Sequence, residues 1–262
     1  TKERMNVMKV LLEEEQMTLV TTFDGLMNRL IRPEKLERFI LQLSLGEELI
    51  LTDFTKQLVA MGYEKNYQAE AGGQFAVRGG IIDIYPLTEE NPYRIELWGD
   101  EIDSIRSFSA ESQRSLENLE TVKIYPAAEI IFEEAVLEKG LKKIEADAKK
   151  LSELYQKEMK TEEAHRVRML ASTAKESIEQ FGSVEGMDAY LTYFEEETVS
   201  LLDYFSKEDA LVFLDEPVRA IEKGRVIEKE FQESMKQRLE KGYILPGQMD
   251  SLYSYKEIAA RL

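Results

Sequence analysis

The residues with the clearest potential for chemistry are two acids that end an apolar run, LVFLDE at Leu211 to Glu216. In nucleotide hydrolases a buried strand of this kind ends in an aspartate that reaches a magnesium ion. The companion phosphate loop, GxxxxGK[ST], occurs nowhere in the 262 residues. We therefore interpret Asp215 and Glu216 as a degenerate nucleotide motif and expect no ATP hydrolysis and no catalytic residue in this chain.

Other candidate groups have simpler explanations. Asp100, Glu101 and Asp103 resemble a paired-acid or hard-metal site, but they lie at a predicted turn, where carboxylates are usually solvated. His165, the only histidine, sits in a predicted helix without a base partner nearby in sequence. Zero cysteines exclude disulfides and thiolate metal sites. No metal site is predicted.

A group of basic and aromatic residues is the better candidate for a site. Arg94 and Trp98 share one face of a predicted strand, and Arg78 lies just past an earlier strand. An exposed tryptophan beside arginines is typical of a protein-interaction hot spot. The alternative is that Trp98 belongs to the core and that the arginines pair locally with Asp83, Glu96 or Asp100. The residues alone leave both interpretations open.

The elements that must position this group are strands. Apolar and polar residues alternate in short runs through residues 72–114, with turn residues at Gly79-Gly80, Asn91-Pro92 and Gly99-Asp100. The pattern predicts an antiparallel sheet with one buried face and one wet face. A helix over residues 53–61, with Thr52 as its N-cap and Gly62 as its left-handed C-terminal residue, would cover the buried face. A last strand follows at residues 122–125.

The rest of the chain predicts a second kind of architecture. Helical periodicity covers residues 2–15, 133–154, 161–181 and 218–241, Thr161 is the expected N-cap of the third of these helices, and shorter helices are expected near residues 24–30 and after Pro33. Apolar runs at 17–22 and 210–216 predict two buried strands of a parallel sheet. The predicted fold is α/β plus α+β. Residues 1–48 and 127–262 form the α/β domain, and residues 49–126 form an inserted α+β domain.

Composition limits the possible partners. The net charge is −17, from 34 Lys and Arg against 51 Asp and Glu, which argues against the chain as a whole binding nucleic acid. The 43% hydrophobic content can supply real cores. No run of 18 apolar residues and no signal peptide is visible. We expect a soluble cytoplasmic protein that does not bind membranes.

Several motifs together resemble a known family. They are AVRGGIIDIYP from Ala76, YRIELWGDEIDSIRSF from Tyr93, the SQRS element at 112–115, LVAMGYE at 58–64, LLDYF at 201–205 and LVFLDEP at 211–217. The set resembles the N-terminal module of bacterial transcription-repair coupling factors (Mfd), which is similar to the excision-repair protein UvrB. UvrB itself is the weaker match, because its ATPase requires the phosphate loop.

The resemblance implies a damaged helicase-like α/β domain split by an inserted domain that docks the repair protein UvrA. By motif, the contact residues in that family fall on Arg78, Arg94 and Trp98, and relatives usually have phenylalanine in the place of Trp98. ATP and magnesium, RNA-polymerase binding and DNA translocation would belong to parts of the family that this sequence lacks. The task implied for this chain is recruitment and autoinhibitory packing, without a cofactor of its own.

Two other functions are kept as alternatives. One is a DNA-damage-binding, nucleotide-dependent excision-repair subunit of the UvrB type, whose discriminating feature is the phosphate loop. The other is a helical regulatory domain that binds DNA through the Lys- and Arg-bearing helices at 139–168. That binding would depend strongly on salt concentration.

Overall fold

The computed structural model describes residues 2–13, 16–184, 186–205 and 210–262. In its first half the elements are, in chain order, α1 (Lys2–Glu13), α2 (Phe23–Met27), α3 (Pro33–Glu37), β1 (Leu41–Ser44), α4 (Leu51–Ala60), β2 (Glu64–Lys65), β3 (Gln74–Arg78), β4 (Ile81–Tyr85), β5 (Tyr93–Trp98), β6 (Glu101–Phe108), β7 (Ser115–Leu119) and β8 (Thr121–Ile124). Residues 14 and 15, which end the first predicted helix, lie outside the described residues.

The second half is helical. Its elements are α5 (Glu134–Lys157), α6 (Thr161–Phe181), a 3₁₀ turn (Met187–Tyr190), α7 (Leu191–Phe194), a 3₁₀ turn (Leu201–Tyr204), α8 (Pro217–Glu240), a 3₁₀ turn (Pro246–Asp250) and α9 (Tyr255–Arg261). No helix in the described ranges combines the length and apolar character that a membrane span requires.

Contacts divide the chain into two compact units. The sheet unit consists of Thr1–Met17 and Pro33–Ile131, and the helical unit consists of Thr18–Arg32 and Phe132–Leu262. The architecture is thus mixed, with antiparallel sheets in one unit and helices in the other, and it fits the α+β class. Residues 33–48, which we assigned to the first domain, lie in the same compact unit as the sheet.

The sheet unit is built on a six-stranded sheet of order β2-β3-β4-β5-β6-β7. All neighbouring strands are antiparallel except β2 and β3. Gly79 and Gly80 make the two-residue connection between β3 and β4, and Gly79 has φ +61°, a conformation that glycine adopts without steric cost. The pair β1-β8 forms a separate two-stranded sheet.

The hydrophobic core of this unit lies between one face of the sheet and helix α4. Phe75, Ile82, Ile95 and other alternate residues of the strands are fully buried, in one cluster with Phe54 and Leu58 of α4. The period-2 alternation places these side chains on one face, so their neighbours in sequence must occupy the other. Burial of so many large apolar groups fixes the register, because a slip of one residue would expose all of them.

The helical unit contains an antiparallel pair of long helices. Apolar positions at helical spacing in α5, among them Ile144 and Ala148, are buried, as are Ala164 and Val167 of α6. Gly140 of α5 lies against the ring of Phe194, where an added Cβ would come within 2.1 Å of Phe194 Cδ1. The absence of a side chain at Gly140 is therefore a packing requirement.

Two predicted strands are wrong. Residues 17–22 and 210–216 contain no strand, and they are largely exposed: Val20 is 89% exposed and Phe213 is 88% exposed. An apolar run becomes a strand only where a neighbouring strand satisfies its backbone N–H and C=O groups. Within the described residues neither run pairs with another segment as a named strand, so the predicted parallel sheet is not formed.

The predicted helix ends are correct at two glycines and wrong at two N-caps. Gly62 and Gly182 have φ +85° and +68°, as expected for residues that end helices in the left-handed conformation. Thr52 lies inside α4, whose N-cap is Ile50, and Thr161 is the first residue of α6 after the N-cap Lys160. The sequence patterns also missed the short strands β1, β2 and β7.

Candidate partner-binding surface

The candidate site lies on the sheet face opposite the core, which we call the polar face. Cross-strand pairing brings Asp83 beside Arg94, and Arg94 beside Arg106. Arg78 pairs with Ile81, which pairs with Glu96. Directly opposed residues in antiparallel strands project from the same side of a sheet. The three arginines and their acids therefore share one surface, made by β3, β4, β5 and β6.

A buried carboxylate is the centre of the polar face. The Asp83 side chain is 2% exposed, and both of its oxygens accept hydrogen bonds from arginine. Arg94 donates from Nε to Oδ1 at 2.6 Å and from Nη2 to Oδ2 at 2.8 Å, which is the bidentate fork of a strong charge-assisted pair. Arg78 donates from Nη2 to the same Oδ2 at 2.5 Å.

Arg94 is held by more than this acid. Its Nη2 also donates to Gln113 Oε1 at 3.0 Å, and its guanidinium lies 4.3 Å from the ring centroid of the buried Phe108. Its side chain is 14% exposed. The hydrogen bond to Asp83 raises the pKa of Arg94 above its ordinary value, against a smaller opposing effect of burial. Arg94 is thus a constituent of the surface with little area of its own to offer.

Trp98 has the opposite environment. It is 84% exposed at the end of β5, beside the turn at Gly99, and it pairs across the strands with Glu101. β3 and β5 both run antiparallel to β4, so they are parallel to each other, and their last residues, Arg78 and Trp98, lie at the same end of the sheet. At strand spacings of roughly 5 Å, the two residues belong to one patch about 10–15 Å across. An exposed large aromatic next to a half-exposed arginine is a suitable anchor for a partner.

The two interpretations left open by the sequence each describe part of the site. Trp98 lies on the surface, as the interface interpretation requires, while Arg78 and Arg94 form the local ion pairs of the alternative. Sequence reasoning missed the shared role of Asp83 and the contribution of Gln113, which has φ +58° and accepts a hydrogen bond from Arg94. A glutamine in the sequence gives no indication that its backbone adopts a positive φ, so this feature could not be predicted.

The degenerate nucleotide motif lies in the other unit. Asp215 and Glu216 are exposed just before α8, and Glu216 pairs with Arg219 at 2.9 Å. His165 is exposed on α6, and Glu101 and Asp103 are exposed on β6. Within the described part of the chain, no group of three His, Cys, Asp or Glu side chains is arranged to hold a metal ion. The polar face is chemically suited to binding, through ion pairs and one exposed aromatic.

Comparison with known families identifies the domain that carries this surface. Residues 41–130 match the family described as the UvrB interaction domain, so this part of the chain is similar to that family. The matched range lies inside the sheet unit and contains all the residues of the polar face discussed above.

Curated relatives confirm the resemblance predicted from the motifs. The chain is 39% identical over 207 residues to the transcription-repair-coupling factor of Bacillus subtilis, covering 78% of this chain and 17% of the relative. It is 31% identical over 255 residues to the UvrABC system protein B of Thermosipho africanus, covering 95% of this chain and 38% of the relative. A transcription-repair-coupling factor of Staphylococcus haemolyticus is 30% identical over 94% of this chain and 20% of its own length. The chain therefore spans between about a sixth and two fifths of these relatives.

Proposed function

We propose that this chain is a non-catalytic recruitment module of transcription-coupled nucleotide excision repair, and that it binds UvrA. The observation that carries the proposal is the UvrB interaction domain at residues 41–130 together with the exposed Trp98 on its polar face. Relatives named for transcription-repair coupling and for the UvrABC system support the same role.

The proposed contact residues are Arg78, Arg94 and Trp98. The side chain of Arg78 is 38% exposed, and Trp98 is 84% exposed as a whole residue. Both can therefore touch a partner directly. Arg94 is 14% exposed and would act mostly by shaping the surface. RNA-polymerase binding, DNA translocation and ATP turnover with magnesium are proposed only for a longer protein of this family. The helical unit would correspond to its silent, helicase-like domain.

The test is a direct binding measurement with purified UvrA. Titration calorimetry compares the wild type with Arg78→Ala, Arg94→Ala and Trp98→Ala, each checked for folding by circular dichroism. Tyr67→Ala is the matched control, because Tyr67 is an 87% exposed aromatic in the loop between β2 and β3 of the same unit. Truncation of a central aromatic anchor costs about 2 kcal/mol or more of binding free energy, which is roughly thirtyfold in Kd.

We expect Trp98→Ala and Arg78→Ala to weaken UvrA binding and Tyr67→Ala to leave it unchanged. Undiminished binding by all three site variants in folded form would refute the assignment of the surface. No binding by the wild type would refute the recruitment function itself.

A further inference from the structure

Asp83 is a charged side chain in a position where it has almost no contact with water. Removing a carboxylate from water is costly unless hydrogen bonds and opposite charge compensate it. Arg94 supplies two of the hydrogen bonds and lies on the directly opposed position of β5. This pair alone would compensate the acid, yet the Oδ2 atom also accepts from Arg78 at 2.5 Å.

Arg78 differs from Arg94 in how much of its side chain is exposed and in how many of its N–H donors have no partner in the described residues. Its side chain is 38% exposed, and its one ion pair within the described residues uses Nη2. The guanidinium carries five N–H donors, so several remain to face an acceptor outside the chain. The position of Arg78 at the end of β3, beside the two-glycine turn, otherwise leaves a long flexible side chain in solvent.

We propose that Asp83 is a positioning residue of the UvrA-binding surface. Its carboxylate, anchored by Arg94, holds the Arg78 guanidinium on the polar face with its remaining donors directed outward. This inference rests on the proposed function and extends it. The group that meets Arg78 on the partner is then a hydrogen-bond acceptor, a carboxylate or a carbonyl oxygen.

The physical basis is preorganisation. A free arginine side chain samples many rotamers, and a partner must order it on binding. An arginine already tethered by an internal ion pair loses less freedom when the complex forms. The ordering cost of one such side chain corresponds to about two- to tenfold in Kd. Loss of Asp83 should therefore weaken binding by this factor, and more strongly while Arg78 is present than when it is absent.

A double-mutant cycle tests the coupling. Titration calorimetry with UvrA gives the Kd of the wild type, Asp83→Asn, Arg78→Ala and the double variant. We expect Asp83→Asn to weaken binding about two- to tenfold in the wild-type background and to have a clearly smaller effect when Arg78 is alanine, since only the part that acts through Arg94 then remains. Glu96→Gln is the control, since Glu96 is an acid of the same face that pairs with Arg106, and its effect should not depend on Arg78.

Equal weakening by Asp83→Asn in both backgrounds, or no weakening in either, would overturn the proposal. A wild type that fails to bind UvrA would instead refute the proposed function. Should Asp83→Asn not fold, the wild type alone decides: side-chain ¹⁵N NMR of the labelled chain measures rotation about the Arg78 Cζ–N bonds. Slow rotation is expected, and averaging as fast as that of the exposed Arg114 would overturn the proposal.

Discussion

Replacing Arg94 by methionine should destabilise the sheet unit more than the same change at Arg106. Arg94→Met keeps the aliphatic length but removes the fork to Asp83, the bond to Gln113 and the cationic contact with Phe108. Breaking a buried ion pair costs about 3–5 kcal/mol. Because Arg78 still compensates Asp83, we expect a smaller loss, about 2–3 kcal/mol.

Arg106→Met is the matched control on the same face. Arg106 directly opposes Arg94 and forms an ion pair with Glu96. The side chains of Arg106 and Glu96 are 26% and 30% exposed, so this pair reaches solvent. Pairs that reach solvent contribute about 0–1 kcal/mol. The difference in surroundings, and not the residue type, sets the two magnitudes.

Hydrogen exchange of the β3 to β6 amides is the assay, because it reports the opening free energy of this unit by itself. The expected result is a loss of protection at least twice as large in free energy for Arg94→Met as for Arg106→Met. Equal protection in the two variants would refute the reasoning, since it would mean that the shared Asp83 contact contributes no more than the partly exposed pair of Arg106 and Glu96.

Three further predictions follow from other contacts. Gly140→Ala should destabilise the helical unit by about 1–3 kcal/mol through its clash with Phe194, and Phe194→Leu in the same chain should recover part of the loss in urea denaturation. Burial raises the pKa of Tyr63 and Tyr193, so the stability that their neutral phenols contribute is complete below about pH 10 and is lost as the pH rises further. Absorbance at 295 nm should show these two phenols ionising together with unfolding. Ionisation of all the tyrosines before unfolding would contradict this prediction. The hydrogen bond from Ser254 lowers the pKa of Glu257, so Glu257→Gln should cost about 1 kcal/mol or less at neutral pH, and the difference from wild type should disappear as the pH falls through the pKa of the folded state.

The sheet was predictable because its signals are local. The alternation around Ile82 and Ile95 gives both the strands and the buried face, and Gly79-Gly80 gives the hairpin. The residues alone left the exposure of Trp98 open, because its position on the strand fits a core residue as well as an interface residue. The resemblance to a family added the partner and the residues proposed to contact it.

The Asp83 cluster was beyond prediction for a physical reason. The pairing of Asp83 with Arg94 depends on the register of β4 against β5, and these strands are joined by residues 86–92, a connection too long to fix register by its turn type. The wrong strand at 210–216 has a related cause. An apolar run shows that a segment would benefit from burial, but it carries no information on whether a partner strand is present.

The central claim is that Trp98 becomes buried against UvrA, and the chain contains one tryptophan with which to observe it. Incorporation of 5-fluorotryptophan gives a single ¹⁹F resonance from this chain. Its shift between H₂O and D₂O measures solvent contact, which should be large in the free protein, where Trp98 is 84% exposed. On addition of unlabelled UvrA the resonance should move and lose this solvent shift. A complex in which the resonance keeps its free-state solvent shift would contradict the account.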